Sequence, residues 1–351
     1  MQIGVFTFGD VGTHPVTKAT IGEQQRMRNL MEEIKLADEV GLDVFAVGEH
    51  HRPDYLISSI APVLGAAAVL TKNIRLASAV TVLSSEDPVR VFQQFATIDL
   101  LSNGRAEIIA GRGSFIESFP LFGYDLQHYD ELFTEKLQML LELNKTEVLH
   151  WKGRHTQTVN GRGVYPRPVQ KVLPIWIGVG GTPESVVRAA ELGLPLAIAI
   201  IGGQPARFAP FARLYKDVYQ KAGHNAAQLQ LGINSFTFIA DSDQKARDLF
   251  WPTYHEVTSR IGRERGWSPG TRAQFEAECD PTGALLVGSP QTVTEKILYE
   301  HKLFGHTRFM AQVGLGAMPH EQIMHAINLL GTEVAPAVRR ALQQQSVAAV
   351  H

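Results

Sequence analysis

Short apolar runs alternate with longer amphipathic segments along most of the chain. The apolar runs predict strands at 3–8, 44–47, 75–83, 106–110, 175–179, 196–201, 233–239 and 307–313. Between them, as in 25–40 and 88–101, apolar residues recur at three- and four-residue spacing, which is the period of one helix face. Gly41 follows the first of these two segments, and Asn103 with Gly104 follows the second, as expected where helices end.

Eight predicted strands that alternate with helices indicate an α/β fold with a parallel sheet. Their number favours closure into a (β/α)8 barrel, and an open doubly wound sheet is the alternative. Because the sequence has no internal repeat, we expect a single domain over residues 1–351. Three segments extend beyond the predicted strands and helices. They are an insertion at about 114–174 after the fourth strand, an excursion at about 254–280, and a C-terminal helix at about 320–345.

Composition narrows the class of protein. The 351 residues include 33 basic and 35 acidic side chains, so the net charge of -2 gives no reason to expect binding to nucleic acid or to an anionic membrane. No apolar run reaches the roughly 20 residues that a membrane span needs. The single cysteine excludes an internal disulfide and a cysteine-cluster metal site. The histidines lack a spacing typical of metal ligands, so we expect no metal. The single cysteine fits a reducing compartment, and we expect a cytoplasmic protein.

Polar side chains follow the second predicted strand directly. The apolar run from Val44 continues into Gly48, Glu49, His50 and His51. Barrels of this class build their active sites at the carboxyl ends of the strands, and histidine exchanges protons near neutral pH. The pattern predicts an acid/base group here, and simple hydrogen bonding at the surface is the alternative.

Three further strand ends carry residues suited to an anion. Arg112 lies between two glycines after the fourth strand, where a guanidinium can bind an anion through two hydrogen bonds. Glycines allow the backbone to approach an anion, and free amides at a helix N-terminus attract phosphate. Such residues follow the fifth and sixth strands, namely Gly180, Gly181 and Thr182, and then Gly202 and Gly203. Together these strand ends predict a phosphate-bearing cofactor, with tight turns and a surface salt bridge as the alternatives.

The motifs, in their order and spacing, resemble the bacterial luciferase-like flavin monooxygenase family over essentially the whole chain. They are GLDVFAVGEHH at 41–51, NIRLASAVTVL at 73–83, PVR at 88–90, DLLSNGR at 99–105, GRG at 111–113, PIWIG at 174–178 and LVGSP at 286–290. The resemblance implies a (β/α)8 barrel with an extended insertion over its mouth, in agreement with the strand count.

The resemblance also implies roles for single residues. His50 matches the catalytic histidine beside the flavin ring, and Arg112 matches the arginine at the flavin phosphate. Backbone around the same phosphate corresponds to Gly180 and Gly181, where some relatives have side-chain oxygen ligands; Arg112 and Thr182 then contribute more of the binding. Ala79 and Val80 match a position where the family often has a non-prolyl cis peptide under the ring. Because Gly180 and Gly181 replace the side-chain oxygen ligands of some relatives, the choice between FMN and the deazaflavin F420 stays open.

The resemblance implies a monooxygenase that uses reduced FMN and O2 to oxygenate a small organic substrate. Four lid residues, namely Phe115, Phe119, Leu121 and Phe122, suggest that this substrate is apolar. No nicotinamide domain is recognisable, so a separate flavin reductase is the expected source of reduced flavin, and the family suggests a homodimer. The alternatives are an F420-dependent hydride-transfer enzyme on the same barrel and a non-catalytic flavin-binding protein.

Overall fold

The computed structural model describes residues 1–348 and contains a closed parallel barrel within that range. Its strands are β1 (Gln2–Thr7), β2 (Val44–Val47), β3 (Arg75–Ser78), β4 (Thr81–Val82), β5 (Ala106–Gly111), β6 (Val148–Trp151), β7 (Val159–Gly163), β8 (Ile175–Val179), β9 (Leu196–Ile200), β10 (Leu231–Ile239), β11 (Leu286–Gly288) and β12 (Arg308–Val313). The order around the barrel is β1, β2, β3, β5, β8, β9, β10 and β12, and β12 pairs again with β1. The predicted (β/α)8 barrel is therefore confirmed. Residues 349–351 of the expected domain lie outside the described range.

Helices surround the barrel on its outer side. They are α1 (Glu23–Glu39), α2 (Ile60–Leu70), α3 (Pro88–Ser102), α4 (Ser118–Leu121), α5 (Tyr129–Lys145), α6 (Pro183–Glu191), α7 (Ala209–Lys221), α8 (Asp243–Arg265), α9 (Arg272–Cys279), α10 (Pro290–Phe304), α11 (His320–Leu329) and α12 (Ala335–Ala348). The predicted helices at 25–40 and 88–101 correspond to α1 and α3. Asp87 caps α3 by accepting a hydrogen bond from the Arg90 amide, and Asn103 ends it in the left-handed conformation.

The strands are apolar because both of their faces are covered. All residues of β2 are buried, and Phe45 on this strand pairs in register with Val5 on β1 and Leu76 on β3. Helix α1 buries Leu30 and Ile34 in the same core, which extends between the barrel and the helices. Burial of apolar surface on both sides of a strand gives the continuous hydrophobic run that predicted it.

The third predicted strand is interrupted. Residues 75–83 form β3 and β4, and the peptide bond between Ala79 and Val80 that separates them is cis, as the resemblance implied. Two glycines make room for this interruption. A Cβ on Gly111 would lie 2.5 Å from a methyl carbon of Val80, and a Cβ on Gly178 would lie 2.7 Å from the other. Both strand glycines therefore let the Val80 side chain pack across the carboxyl end of the barrel.

The insertion at 114–174 has three structural parts. Residues up to 128 include α4 and lie at the carboxyl ends of the strands, which we call the mouth of the barrel. Helix α5 belongs to the outer layer, where it packs against α3 and buries Leu137 and Leu140. The antiparallel hairpin β6–β7 follows α5. Only the first part of this insertion and the start of α5 line the mouth.

Two further regions differ from the pattern. Strand β11 pairs with β10 outside the closed ring and was not predicted. The C-terminal helix predicted at about 320–345 is divided into α11 and α12 by a π-helical turn, Leu330–Val334. Among residues 1–348, no helix combines the length and apolar character that crossing a bilayer requires.

Candidate active site

A cavity of about 850 Å³ opens at the mouth of the barrel. Its inner wall comes from the strand ends, including Val80, Gly178 and His50, and its outer wall comes largely from α8 and the residues after it. Carboxyl ends of parallel strands converge here, so side chains from distant parts of the chain share one space. The cavity is the candidate active site.

His50 projects into this cavity among aromatic rings. Its ring centroid lies 4.3 Å from that of Phe8, 4.6 Å from that of Tyr55 and 4.8 Å from that of Phe115. Burial lowers the pKa of His50 to about 3, and the nearby charges of Arg52 and His51 act in the same direction. The imidazole is therefore neutral at physiological pH, with one N–H donor and one nitrogen acceptor. A histidine that titrates near pH 7 was expected at this strand end, and the aromatic enclosure explains the difference.

Arg112 also lines the cavity, directly after the end of β5. Its Nη2 donates a hydrogen bond of 3.0 Å to Oγ1 of Thr182, and its Nη1 pairs with Asp130 at the start of α5. The guanidinium also lies over the ring of Tyr129, whose hydroxyl donates to the Gly113 carbonyl. Thr182 is the N-cap residue of α6, but its hydroxyl makes no capping bond and instead accepts the bond from Arg112. Pro183 begins the helix, where its fixed backbone angle suits the first helical position.

The predicted glycines have different positions relative to the cavity. Gly180 lines it, and a Cβ on Gly180 or on Gly181 would meet nothing within 4 Å, so open space adjoins this turn. Of the residues that directly follow β9, Ile201 lines the cavity, whereas Gly202 and Gly203 do not. The structure therefore brings Gly180 and Thr182 together with Arg112, and leaves the second glycine pair further along the rim.

A second arginine near Arg112 was missed from the sequence. Arg188 on α6 is close enough to Arg112 and Asp130 for their charges to influence its pKa, which burial lowers. Its Nη1 is buried and has no hydrogen-bond partner within the described residues. The sequence offered no signal, because an arginine within an amphipathic helix is usually a surface residue. Arg188 does not line the cavity itself; it lines a neighbouring pocket with Pro183 and Glu184 and lies over the ring of Phe133.

Glu49 supports the interrupted strand. Its side chain is buried at the cavity wall, and Oε1 accepts a hydrogen bond of 2.9 Å from the backbone amide of Val82. Burial raises the pKa of Glu49 to about 8, and the charge of Glu86 adds to the shift. Glu49 thus connects the end of β2 to β4. Strand β4 directly follows Ala79 and Val80, which line the cavity.

The cavity wall is mainly apolar, as expected, but only one of the four predicted lid residues contributes to it. Of the four aromatic and aliphatic residues that the sequence suggested, Phe115 lines the cavity, Phe119 is fully buried elsewhere, and Leu121 and Phe122 are exposed. The excursion at 254–280 contributes more of the wall, including Tyr254, Val257, Ile261, Trp267 and Phe275. Helix periodicity could not identify these residues, because it does not show which helix face meets the mouth.

Arg52 connects the two segments that cover the mouth. Its Nη1 donates to Glu117 at 2.7 Å in the first insertion, and its Nη2 donates to Glu264 at 2.6 Å near the end of α8. The guanidinium also lies 4.5 Å from the ring centroid of Phe115, the residue that packs against His50. These contacts join the loop after β2 to both covering segments.

Comparison with known proteins agrees with this architecture. The sequence model of the family described as luciferase-like monooxygenase matches residues 1–307. The chain belongs to the luciferase-like monooxygenase family. Membership in this family supports an oxidoreductase with flavin- and F420-dependent relatives.

Relatives of this luciferase-like protein include both monooxygenases and F420-dependent enzymes. The monooxygenase RslO1 from Streptomyces bottropensis is 23% identical, with a TM-score of 0.81 over 96% of this chain and 99% of that chain. The oxygenating constituent of 3,6-diketocamphane monooxygenase from Pseudomonas putida, in complex with FMN, is 19% identical, with a TM-score of 0.76 over 96% and 98%. An F420-dependent glucose-6-phosphate dehydrogenase from Amycolatopsis mediterranei is 32% identical over 167 residues, 45% of this chain and 50% of the relative.

Proposed function

We propose that this protein is an FMN-dependent monooxygenase that uses reduced FMN and O2 to oxygenate a small apolar substrate. The observation that carries the proposal is that one cavity contains both Arg112, bonded to Thr182, and His50 within an aromatic wall. When bound, reduced FMN would supply the electrons that activate O2.

The residues present fit FMN. Its phosphate needs hydrogen-bond donors, and the Arg112 guanidinium and the Thr182 hydroxyl are such donors at one place. Open space beside Gly180 and Gly181 leaves room for the phosphate next to them. Its ring needs an apolar surface, and Ala79 and Val80 form one at the strand ends. Asp130 already neutralises part of the Arg112 charge, so the phosphate would compete with this carboxylate.

His50 would manage a proton beside the ring. Its neutral imidazole can donate from one ring nitrogen and accept at the other, and an anion bound nearby would raise its pKa from about 3 toward the physiological range. Phe8, Tyr55 and Phe115 around it exclude water, which protects reactive species from hydrolysis. The apolar wall from the excursion at 254–280 would receive the substrate.

The proposal is tested by titrating the purified chain with FMN, reduced FMN and F420, and then supplying reduced FMN, ¹⁸O2 and a panel of aldehydes, amines and sulfides. We expect tighter binding of FMN than of F420, and one ¹⁸O atom in a product. A separate flavin reductase should be required when NADH is the electron source. Efficient product formation from NADH by the chain alone would contradict that part.

The alternative with support among the relatives is F420-dependent hydride transfer. An F420-dependent relative shares 32% identity over 167 residues, and glycine-rich phosphate turns suit either cofactor. Preferential F420 binding with substrate oxidation or reduction under anaerobic conditions would establish this alternative. FMN binding without turnover on any substrate would instead indicate a non-catalytic flavin-binding protein.

A further inference from the structure

The loop between β6 and β7, residues 152–158, folds back onto the first turns of α5, and we call it the hairpin tip. Glu135 on α5 holds it in place. Its carboxylate accepts hydrogen bonds from the backbone amides of Arg154, His155 and Thr156, at 2.9, 2.9 and 2.8 Å. These bonds position the tip through its backbone and leave the imidazole of His155 available for other contacts.

The hairpin tip brings a second histidine close to His128, which directly precedes α5, and to Glu131 in the first turn of α5. Nε2 of His155 lies 2.8 Å from Oε2 of Glu131, and Nδ1 of His128 lies 3.4 Å from the same oxygen. The two imidazole rings are 4.9 Å apart between centroids, and the ligand atoms of all three side chains lie within 4.8 Å of one another. The His155 side chain is only 13% exposed, so its ring is held by the fold.

We propose that His128, Glu131 and His155 bind a divalent transition-metal ion of the zinc type. Zinc takes imidazole nitrogen and carboxylate oxygen at about 2.0–2.2 Å, so neighbouring ligand atoms of a tetrahedral site lie about 3.3 Å apart. The separations of 3.4 and 2.8 Å from the Glu131 oxygen lie on either side of that value, and all three ligand atoms lie within 4.8 Å of one another, so side-chain rotations would bring them around a common ion. Water would take the fourth position.

The ligand types select the ion. Mg²⁺ and Ca²⁺ prefer sites made entirely of oxygen, whereas two imidazoles favour zinc and its neighbours. The histidine spacing in the sequence predicted no metal site, because His155 joins the other two residues only through the hairpin. Without an ion, the guanidinium of Arg154 occupies part of the space, at 3.3 Å from Oε2 of Glu131. That side chain is 73% exposed, so it can turn away into solvent.

A metal here would fix the hairpin tip to the start of α5. Asp130, which pairs with Arg112 at the cavity, immediately precedes Glu131. The metal site does not depend on the proposed flavin chemistry. A bound ion would stabilise the contact between the hairpin tip and the start of α5 rather than take part in catalysis.

The test measures Zn²⁺ binding to the untagged full chain by competition with a chromophoric chelator, and Co²⁺ binding by visible absorption. We expect one equivalent of Zn²⁺ per chain, a tetrahedral Co²⁺ spectrum, and a rise in melting temperature with Zn²⁺ because the ion binds the folded state. Both His155→Ala and Glu131→Gln should weaken Zn²⁺ binding by at least about tenfold and remove the thermal shift. The His150→Ala variant, which changes an exposed histidine of the same hairpin, should bind like the unaltered chain.

Arg154→Gln separates a metal site from a simple ion-pair cluster. Removing this positive charge next to the ion should tighten Zn²⁺ binding by about fivefold, since like charges a few ångströms apart repel even in water. The backbone bond from Arg154 to Glu135 does not depend on the side chain, so the tip should keep its place. Absence of stoichiometric binding, equal loss in His150→Ala, retention in His155→Ala and Glu131→Gln, or an unchanged or weaker affinity in Arg154→Gln would each overturn the proposal.

Discussion

Arg112 donates a hydrogen bond of 3.0 Å from Nη2 to the hydroxyl of Thr182, although 70 positions separate the two residues in the chain. The bond joins the end of β5 to the start of α6, where free helix amides and the Arg112 guanidinium favour an anion. The cavity thus has one polar, positively charged end, and the remainder of its wall is mainly apolar.

Replacing Arg112 with alanine should weaken FMN binding while sparing riboflavin, which lacks the phosphate. Loss of a hydrogen bond to a charged group costs about 1.5–3 kcal/mol, so the dissociation constant for FMN should rise by about 10- to 100-fold. Fluorescence titration with each flavin measures the effect. The Arg162→Ala variant, which alters an exposed arginine on β7, is the control. Equal weakening of both flavins by Arg112→Ala would place the arginine elsewhere than at the phosphate.

Replacing His50 with phenylalanine should abolish turnover without loss of the cofactor. Phenylalanine retains a ring against Phe8, Tyr55 and Phe115 but offers no polar nitrogen. Removal of a general acid–base group costs about 10²–10⁴ in rate, so product formation should fall within that range. FMN titration, as the companion measurement, should give an affinity close to that of the unaltered chain. A variant that still turns over at the normal rate would exclude His50 from proton transfer.

The sequence predicted the barrel and two residues at its mouth, because a strand and the polar residue that follows it are adjacent in the chain. An apolar strand that ends in a polar group places this group at the mouth, which located His50 and Arg112 without tertiary information. The cis peptide between Ala79 and Val80 followed from the resemblance, and the structure confirms it. The pKa of His50 could not be predicted, because it depends on rings contributed by β1 and by the first insertion.

The covering segments were predicted less well. Phe115 and Phe119 are four positions apart in one insertion, yet the first lines the cavity and the second is buried beside Tyr129. Nothing in their spacing distinguishes them. Trp176 is buried on β8 but also lines the cavity, and its indole N–H has no partner among the described residues. Such details depend on how loops meet, which periodicity does not encode.

Removing Arg52 should loosen the cover of the mouth. The Arg52→Ala change leaves Glu117 and Glu264 without their shared guanidinium and removes the contact with Phe115. Because these carboxylates are partly exposed, we expect a modest loss, about 1 kcal/mol of local stability. Hydrogen exchange should accelerate in residues 113–122 and 260–268 while barrel strands keep their protection.

The matched control for Arg52 is Lys245→Ala, which breaks an exposed ion pair with Asp241 near the start of α8. It should leave exchange at the mouth unchanged. Unaltered exchange in Arg52→Ala itself would mean that the apolar contacts alone hold the covering segments.

Glu49 should make stability depend on pH in a direction opposite to that of a salt-bridged carboxylate. Its pKa rises from 4.5 to about 8 on folding, chiefly through burial, so the folded state binds more protons between these values. Its contribution is therefore fully present below pH 4.5 and is lost as the pH rises through about 8. Glu49→Gln keeps an acceptor for the Val82 amide and removes the titration.

We accordingly expect Glu49→Gln to gain stability relative to the unaltered chain as the pH rises, by on the order of 3 kcal/mol between about pH 5 and 8. Urea unfolding at a series of pH values measures the difference in unfolding free energy. Glu184→Gln, which changes an exposed glutamate at the start of α6, should run parallel to the unaltered chain at every pH. A parallel profile for Glu49→Gln as well would mean that Glu49 is already ionised at neutral pH, and that the Val82 amide outweighs the cost of burying its charge.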